Sequence, residues 1–258
     1  MTKIKEAFEN KKAFIAYISA GDPDLETTEK LIFEMEKNGV DLLEIGIPFS
    51  DPVAEGPVIQ EADLRALNSG TTTEKIFDML ERIRPQIKIP LVFLTYCNSI
   101  FGYGTEKFTA RCEKAGIDGL IVPDVPYEER EELAPFCEKH NIDLIALVAP
   151  TSDDRVNKIA KASQGFLYIV SSLGVTGVRD KIENDAESLI KAAKSASDIP
   201  CAVGFGISTA EQAEEFCKYA DGIIIGSAIV RIVGQYGRDC IGPVAEYVKT
   251  IAEAVHNC

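Results

Sequence analysis

The sequence predicts an α/β protein that closes into a single-domain (β/α)8 TIM barrel, with extra helices after strands two and eight. Eight short, apolar, β-branched runs recur along the 258 residues, separated by stretches with helical spacing. The runs are nearly continuous in hydrophobicity rather than alternating, which suits strands covered on both faces, as parallel sheets wrapped by helices require. Size agrees: eight strand–helix units in about 250 residues match a closed barrel, a doubly wound open sheet being the alternative.

In chain order the runs are AFIAYIS from Ala13, DLLEIGI from Asp41, PLVFLTY from Pro90, DGLIVP from Asp118, DLIALVAP from Asp143, GFLYIVSS from Gly165, PCAVGFG from Pro200 and DGIIIG from Asp221. LETTEKLIFEMEKNG, from Leu25, places Leu31, Ile32 and Met35 on one side and Glu29, Lys30 and Glu34 on others, an amphipathic helix closed by Gly39. The second unit runs from Asp41 to Pro90 and calls for an extra loop and helix, beginning at PFSDPVAEGPVIQEADLRAL. TEKFTARCEKAG, YEEREELAPFCEKHN, SDDRVNKIAKAS, NDAESLIKAAKSAS and STAEQAEEFCKYA read as the later helices, several entered through Ser, Thr or Asp at cap positions. After the eighth strand, SAIVRIVGQYGRDC reads as a short additional helix before the closing one. No linker or low-complexity tract interrupts the chain, so residues 1–258 are expected to form one domain.

Composition narrows the function. The chain is 46% hydrophobic and 26% charged, an ordinary globular balance. With 27 Lys plus Arg against 41 Asp plus Glu, a net charge of −14 and no basic cluster, it repels phosphate backbones, so nucleic acid is not an expected partner. Seven cysteines, none within about fifteen positions of another, fit neither a disulfide framework nor a close-set zinc site. No metal is expected, and the thiols read as reduced. The amino terminus lacks a signal-peptide core and no run of about eighteen apolar residues occurs, so the expectation is a cytoplasmic protein without a membrane span.

In such a barrel the reactive groups sit where strands run into the loops that follow them. Glu44 lies between Leu43 and Ile45 in LLEIGIP. A carboxyl so placed is turned into the barrel mouth, where desolvation raises its pKa toward neutrality, or is a buried acid tied to Lys or Arg. The loop PFSDPVAEGP carries Asp51 and Glu55, stiffened by two prolines, and can aim a carboxylate at a polarised N–H; a solvated acidic turn is the alternative. Glycine-bearing segments follow the last three strands: SSLGVTGV ending in Gly177 and Val178, GFGIS around Gly204 and Gly206, and GSAIV from Gly226, with Ser227 opening a helix. Together they describe a main-chain phosphate site, which lets a chain of negative net charge bind an anion. Tyr168 could place its hydroxyl near reacting carbons or be a core tyrosine. His140 and His256 lack partners at metal spacing, and no Lys is suited to a Schiff base.

The segments LLEIGIPFSDPVAEGPVIQ, LTYCNSIFGYG, VPDVPYEE, YIVSSLGVTGVR, VGFGIS and GSAIV resemble the tryptophan synthase alpha subunit family, in that order and along nearly the whole chain. The resemblance implies retro-aldol cleavage of indole-3-glycerol phosphate to indole and glyceraldehyde 3-phosphate, a carbon–carbon lyase reaction of tryptophan biosynthesis. It implies no cofactor in this chain and, as partner, a pyridoxal-phosphate beta subunit in an α2β2 heterotetramer that stimulates the alpha chain. The family's general acid/base falls on Glu44. Its loop Asp falls on Glu55, whose extra methylene means that the carboxylate must fold back to reach the same point. By the same transfer Tyr168 is the active-site tyrosine, Thr176 the closing-loop threonine, Tyr17 an aromatic of the indole pocket and Phe205 a ring near the phosphate. Gly177, Gly206, Gly226 and Ser227 form the phosphate cradle.

Overall fold

The computed structural model describes residues 3–170, 179–204 and 206–258. Its eight parallel strands close on themselves in chain order: β1 (Ala13–Ser19), β2 (Leu42–Gly46), β3 (Leu91–Leu94), β4 (Gly119–Ile121), β5 (Asp143–Val148), β6 (Leu167–Val170), β7 (Cys201–Gly204) and β8 (Gly222–Ile225). Each lies within one of the apolar runs. β8 pairs with β1, Ile223 opposite Phe14, which excludes the open doubly wound sheet.

Around the barrel run α1 (Leu25–Lys37), α2 (Pro57–Asn68), α3 (Thr73–Ile83), α4 (Cys97–Tyr103), α5 (Thr105–Ala115), α6 (Ala134–Lys139), α7 (Val156–Ala162), α8 (Arg179–Ala196), α9 (Ala210–Cys217), α10 (Ser227–Tyr236) and α11 (Ile241–His256). The extra helices after strands two and eight are α2 and α10. Two stretches read as single helices are broken: a 3-10 segment, Tyr127–Glu132, precedes α6, and another, Pro150–Arg155, precedes α7. Pro135 stands in the first turn of α6, where its missing N–H does no harm and from which a helix restarts. The sequence did not announce α4. Its first amide, that of Cys97, is held at 3.0 Å by the Asp124 carboxylate from the loop after β4, a partner 27 residues away in sequence.

Strand parity divides the core. Phe14, Ala16, Ile18, Leu43, Ile45, Phe93, Leu120, Ile169 and Val203 belong to the shell between strands and helices. Their alternates Ile15, Leu42, Val92, Ile121, Ile145, Tyr168, Ala202 and Ile224 fill the barrel, as the two-residue period of a strand demands. Below them the 3-10 turn Lys3–Phe8 drives Ile4 and Ala7 into the same interior cluster. The N-terminal end is thus plugged by apolar side chains, which leaves the C-terminal end as the mouth.

Candidate active site

Parity brings the first acid into the mouth. Glu44 follows inward-facing Leu42 by two residues and is paired in register with Tyr17 on β1 and Val92 on β3. It is 1% exposed, and its Oε1 has no hydrogen-bond partner among the described residues. Burial alone pushes the carboxyl up to about 8, because no cation or donor among the described residues offsets the lost hydration of the anion. Among the described residues no Lys or Arg pairs with it, so the alternative of a buried Glu tied to a cation finds no partner there.

Tyr17 and Tyr168 stand beside it. A Cβ on Gly46 would lie 2.1 Å from the Tyr17 hydroxyl, and one on Gly204 would lie 2.4 Å from that of Tyr168. Each phenol occupies the space that a side chain on a neighbouring strand would have filled, so Gly46 and Gly204 shape the pocket. Both phenols are raised well above their ordinary value, first by burial. For Tyr17 the charges of Asp63, Glu55 and Glu44 add to this, and for Tyr168 those of Glu44, Glu55 and Tyr17. Shared electrostatics of this kind put these groups in one cluster.

Glu55 comes from the loop between β2 and α2. Burial, and then the Asp63 carboxyl, push it up to about 7, although the amides of Ala54 and of Glu55 itself pull the other way. Its Oε2 is buried without a partner among the described residues. Asp51 stays outside: it is exposed, and its carboxylate takes the Ser50 hydroxyl. The loop is braced by the Tyr96 hydroxyl, which accepts the Ala54 N–H at 3.0 Å while the Tyr96 ring stacks on Phe49.

Where the sequence leads one to expect a phosphate, Gly206 has φ +83°, a left-handed backbone that favours glycine. Gly226 ends the β8 segment, and a Cβ there would meet the Tyr17 Cβ at 3.2 Å, so this corner abuts the ring at the mouth. The two neighbouring helix starts differ. At α9 the Thr209 hydroxyl and the Gln212 side chain form a capping box, which consumes the free amides. At α10 the cap is Gly226, with no side-chain hydrogen bond, and the ladder begins with Val230 N–H to the Gly226 carbonyl at 3.0 Å. The first-turn amides, that of Ser227 included, are left directed out of the helix end, where an anion is favoured. Thr176, Gly177 and Phe205 lie outside the described residues.

Sequence reasoning missed Gly46 and Asp63, and took Gly204 for part of the phosphate site rather than for the space beneath Tyr168. The glycines carried a signal, since both lie two residues beyond inward positions, Glu44 and Ala202. Asp63 carried a fainter one: it interrupts the buried face of α2 between Ala62 and Ala66. Among the described residues no group of three or more His, Cys, Asp or Glu is placed to hold a metal ion. A cavity of about 330 Å³ lined by Lys5, Glu138, Asp143 and Gln164 lies away from the acid cluster, at the end where the strands begin, and we give it no part in the chemistry.

A profile of the family described as tryptophan synthase alpha chain matches residues 3–256. The tryptophan synthase alpha chain of Lacticaseibacillus casei is 47% identical over 99% of this chain and 96% of its own length. That of Alkaliphilus metalliredigens is 46% identical over 95% and 92%. Among solved structures, the tryptophan synthase alpha subunit of Legionella pneumophila superposes with a TM-score of 0.90 at 34% identity, covering 100% of both chains. A chain of the tryptophan synthase complex of Pyrococcus furiosus gives 0.85 at 32% identity, covering 94% of this chain and 99% of that one. The chain belongs to the tryptophan synthase alpha chain family.

Proposed function

We propose that the mouth cleaves indole-3-glycerol phosphate to indole and glyceraldehyde 3-phosphate, with Glu44 as the general acid and base. The observation that carries this reading is an inward, unpartnered carboxyl held up to about 8 by burial. Such a group is protonated at neutral pH yet able to ionise during turnover. It gives its proton to indole C3, which turns the ring into an electron-poor indolenine cation. The carboxylate then takes the proton of the hydroxyl on the adjoining carbon. As that oxygen becomes the aldehyde, the carbon–carbon bond breaks, its electron pair restores the indole, and Glu44 is protonated again.

Glu55, once ionised, accepts a hydrogen bond from the indole N–H and stabilises the positive charge as it develops. Tyr17 and Tyr168 flank the ring. Gly206, Gly226 and Ser227 hold the phosphate through main-chain amides, joined in this reading by Thr176, Gly177 and Phe205. Proton transfer by this chain's own acid suffices for the step, so the reading assigns it no cofactor; pyridoxal phosphate belongs to a beta subunit with which it forms an α2β2 complex. Tryptophan biosynthesis sets this work in the cytoplasm, and residues 1–258 act as one domain.

The test is release of indole from indole-3-glycerol phosphate, with and without a beta subunit. Wild type should turn over, faster with the beta subunit, and Glu44→Gln should bind substrate but not cleave it. Near-normal turnover by Glu44→Gln would remove Glu44 from the mechanism.

A further inference from the structure

The loop that follows β7 is held in place from the helical layer. Gly206 is exposed, and a Cβ added to it would meet nothing within 4 Å, so no packing of its own fixes where its amide points. Ile207 is buried in the shell between strands and helices. Beyond it, two successive peptide groups are tied down by side chains. The Ser208 N–H donates to Gln212 Oε1 at 2.8 Å, and the Thr209 N–H donates to the same oxygen at 3.2 Å. The Ser208 carbonyl accepts the hydroxyl of Tyr247, from the second turn of α11, at 2.9 Å.

That last bond is not needed by the helices it joins. The α9 cap is complete in Thr209 and Gln212. α11 packs on α9 and α10, with Val244, Val248, Ile251 and Val255 on its buried face. The Tyr247 hydroxyl reaches a backbone oxygen 39 residues away in sequence. Burial pushes this phenol up to about 12, so it stays a neutral donor, and the carbonyl can only accept.

We propose that Tyr247 is a positioning residue for the substrate phosphate: by holding the Ser208 carbonyl it presets the loop 206–209, so that the Gly206 amide meets the phosphate without rearrangement. The inference rests on the reading of this corner as the phosphate site. The two donor sources there are supported differently. At α10 the helix itself fixes the first-turn amides, its ladder beginning with Val230 N–H to the Gly226 carbonyl. At Gly206 the chain is irregular, and glycine has more backbone freedom to lose than any other residue. Freedom lost only on binding is subtracted from affinity, whereas freedom lost on folding is not. Gln212 holds the N–H side of the peptide between Ser208 and Thr209, and Tyr247 holds its carbonyl side. That peptide cannot rotate without breaking both bonds.

The test uses sn-glycerol 3-phosphate, which has the phosphate without the ring, and indole, which has the ring without the phosphate. Tyr247→Phe keeps the aromatic ring and removes only the hydroxyl. In the full chain, calorimetry should show the Kd for glycerol phosphate raised about threefold to tenfold, the range expected for one lost neutral hydrogen bond, with the Kd for indole within about 1.5-fold of wild type. KM for indole-3-glycerol phosphate, measured with a beta subunit, should rise by a similar factor while kcat changes little. Gln212→Ala frees the amides on the other side of the same peptide and should weaken glycerol phosphate in the same selective way, which carries the test if Tyr247→Phe does not fold. A tyrosine that only steadies α11 would lower Tm and leave both Kd values unchanged. A folded Tyr247→Phe protein that binds glycerol phosphate within about 1.5-fold of wild type would overturn the proposal, and so would equal weakening of glycerol phosphate and indole. Wild type that binds indole but no glycerol phosphate would instead overturn the phosphate reading itself.

Discussion

The two ends of the barrel treat the same kind of residue in opposite ways. At the N-terminal end three aspartates each precede a strand and are fully engaged. The Asp41 carboxylate accepts the Phe14 N–H at 2.8 Å while the Asp41 N–H donates to the Phe14 carbonyl, and Lys11 and His256 complete the site. Asp118 makes the same ring with Leu91 and pairs with Arg84 at 3.0 Å. Asp221 repeats it with Cys201 and Lys194. In each ring one acid stitches its strand to the preceding one. At the mouth, Glu44, Glu55 and Asp63 each keep an oxygen without a partner among the described residues. An acid that holds a fold is surrounded by donors and cations; an acid that must exchange protons is kept from them, and the fold bears the cost.

The contrast breaks most visibly at Glu44. Glu44→Gln should lower kcat about a thousandfold with KM within a few-fold, read by indole release, since a general acid and base is worth that much. The same substitution should stabilise the fold as pH rises. A carboxyl raised to about 8 in the folded protein is protonated there but ionised in the unfolded chain above the ordinary carboxylate range. Its destabilising effect is absent near pH 4, grows from about pH 5 and is complete above pH 8. Urea unfolding should therefore give Glu44→Gln and wild type nearly equal stability at pH 5, and an advantage for the variant on the order of 2–4 kcal/mol at pH 8. Equal stabilities at both pH values would contradict burial as the source of the shift.

The opposite end should respond in the reverse sense. Asp41→Ala strands the Phe14 amide and unpairs Lys11 and His256, so stability should fall by about 2 kcal/mol, the pair being part-exposed on the cation side, while kcat at 25 °C stays within about twofold. A large loss of kcat in a fully folded Asp41→Ala protein would mean that the two ends are not separate. The smallest effect is expected at Glu55. Glu55→Asp keeps the carboxyl and shortens its reach by one methylene, so kcat/KM should change by less than about tenfold. A larger gain would show that the longer side chain misplaces the acceptor.

Much of this was legible in the sequence. Continuous apolar runs do not depend on distant partners, so all eight strands and the extra helices α2 and α10 could be read from local pattern. Glu44 stood out because a charged residue inside LLEIGIP has no local excuse, and the α10 start because Gly226 and Ser227 offer an uncapped helix end. The break before α6 was harder: Pro135 permits either a restart or a first turn. The α4 cap depends on Asp124, and Asp63 looked like any acid on a helix.

By itself the sequence determined the barrel and the residue types at its rim, because hydrophobic period and turn chemistry are local properties that survive without coordinates. Tertiary structure alone decided that Tyr17 and Tyr168 rest on Gly46 and Gly204, and that the aspartates at the strand starts are satisfied whereas the mouth acids each keep an oxygen without a partner among the described residues. The physical reason is that desolvation and hydrogen-bond satisfaction depend on neighbours brought together across the barrel, and no spacing along the chain encodes those neighbours directly.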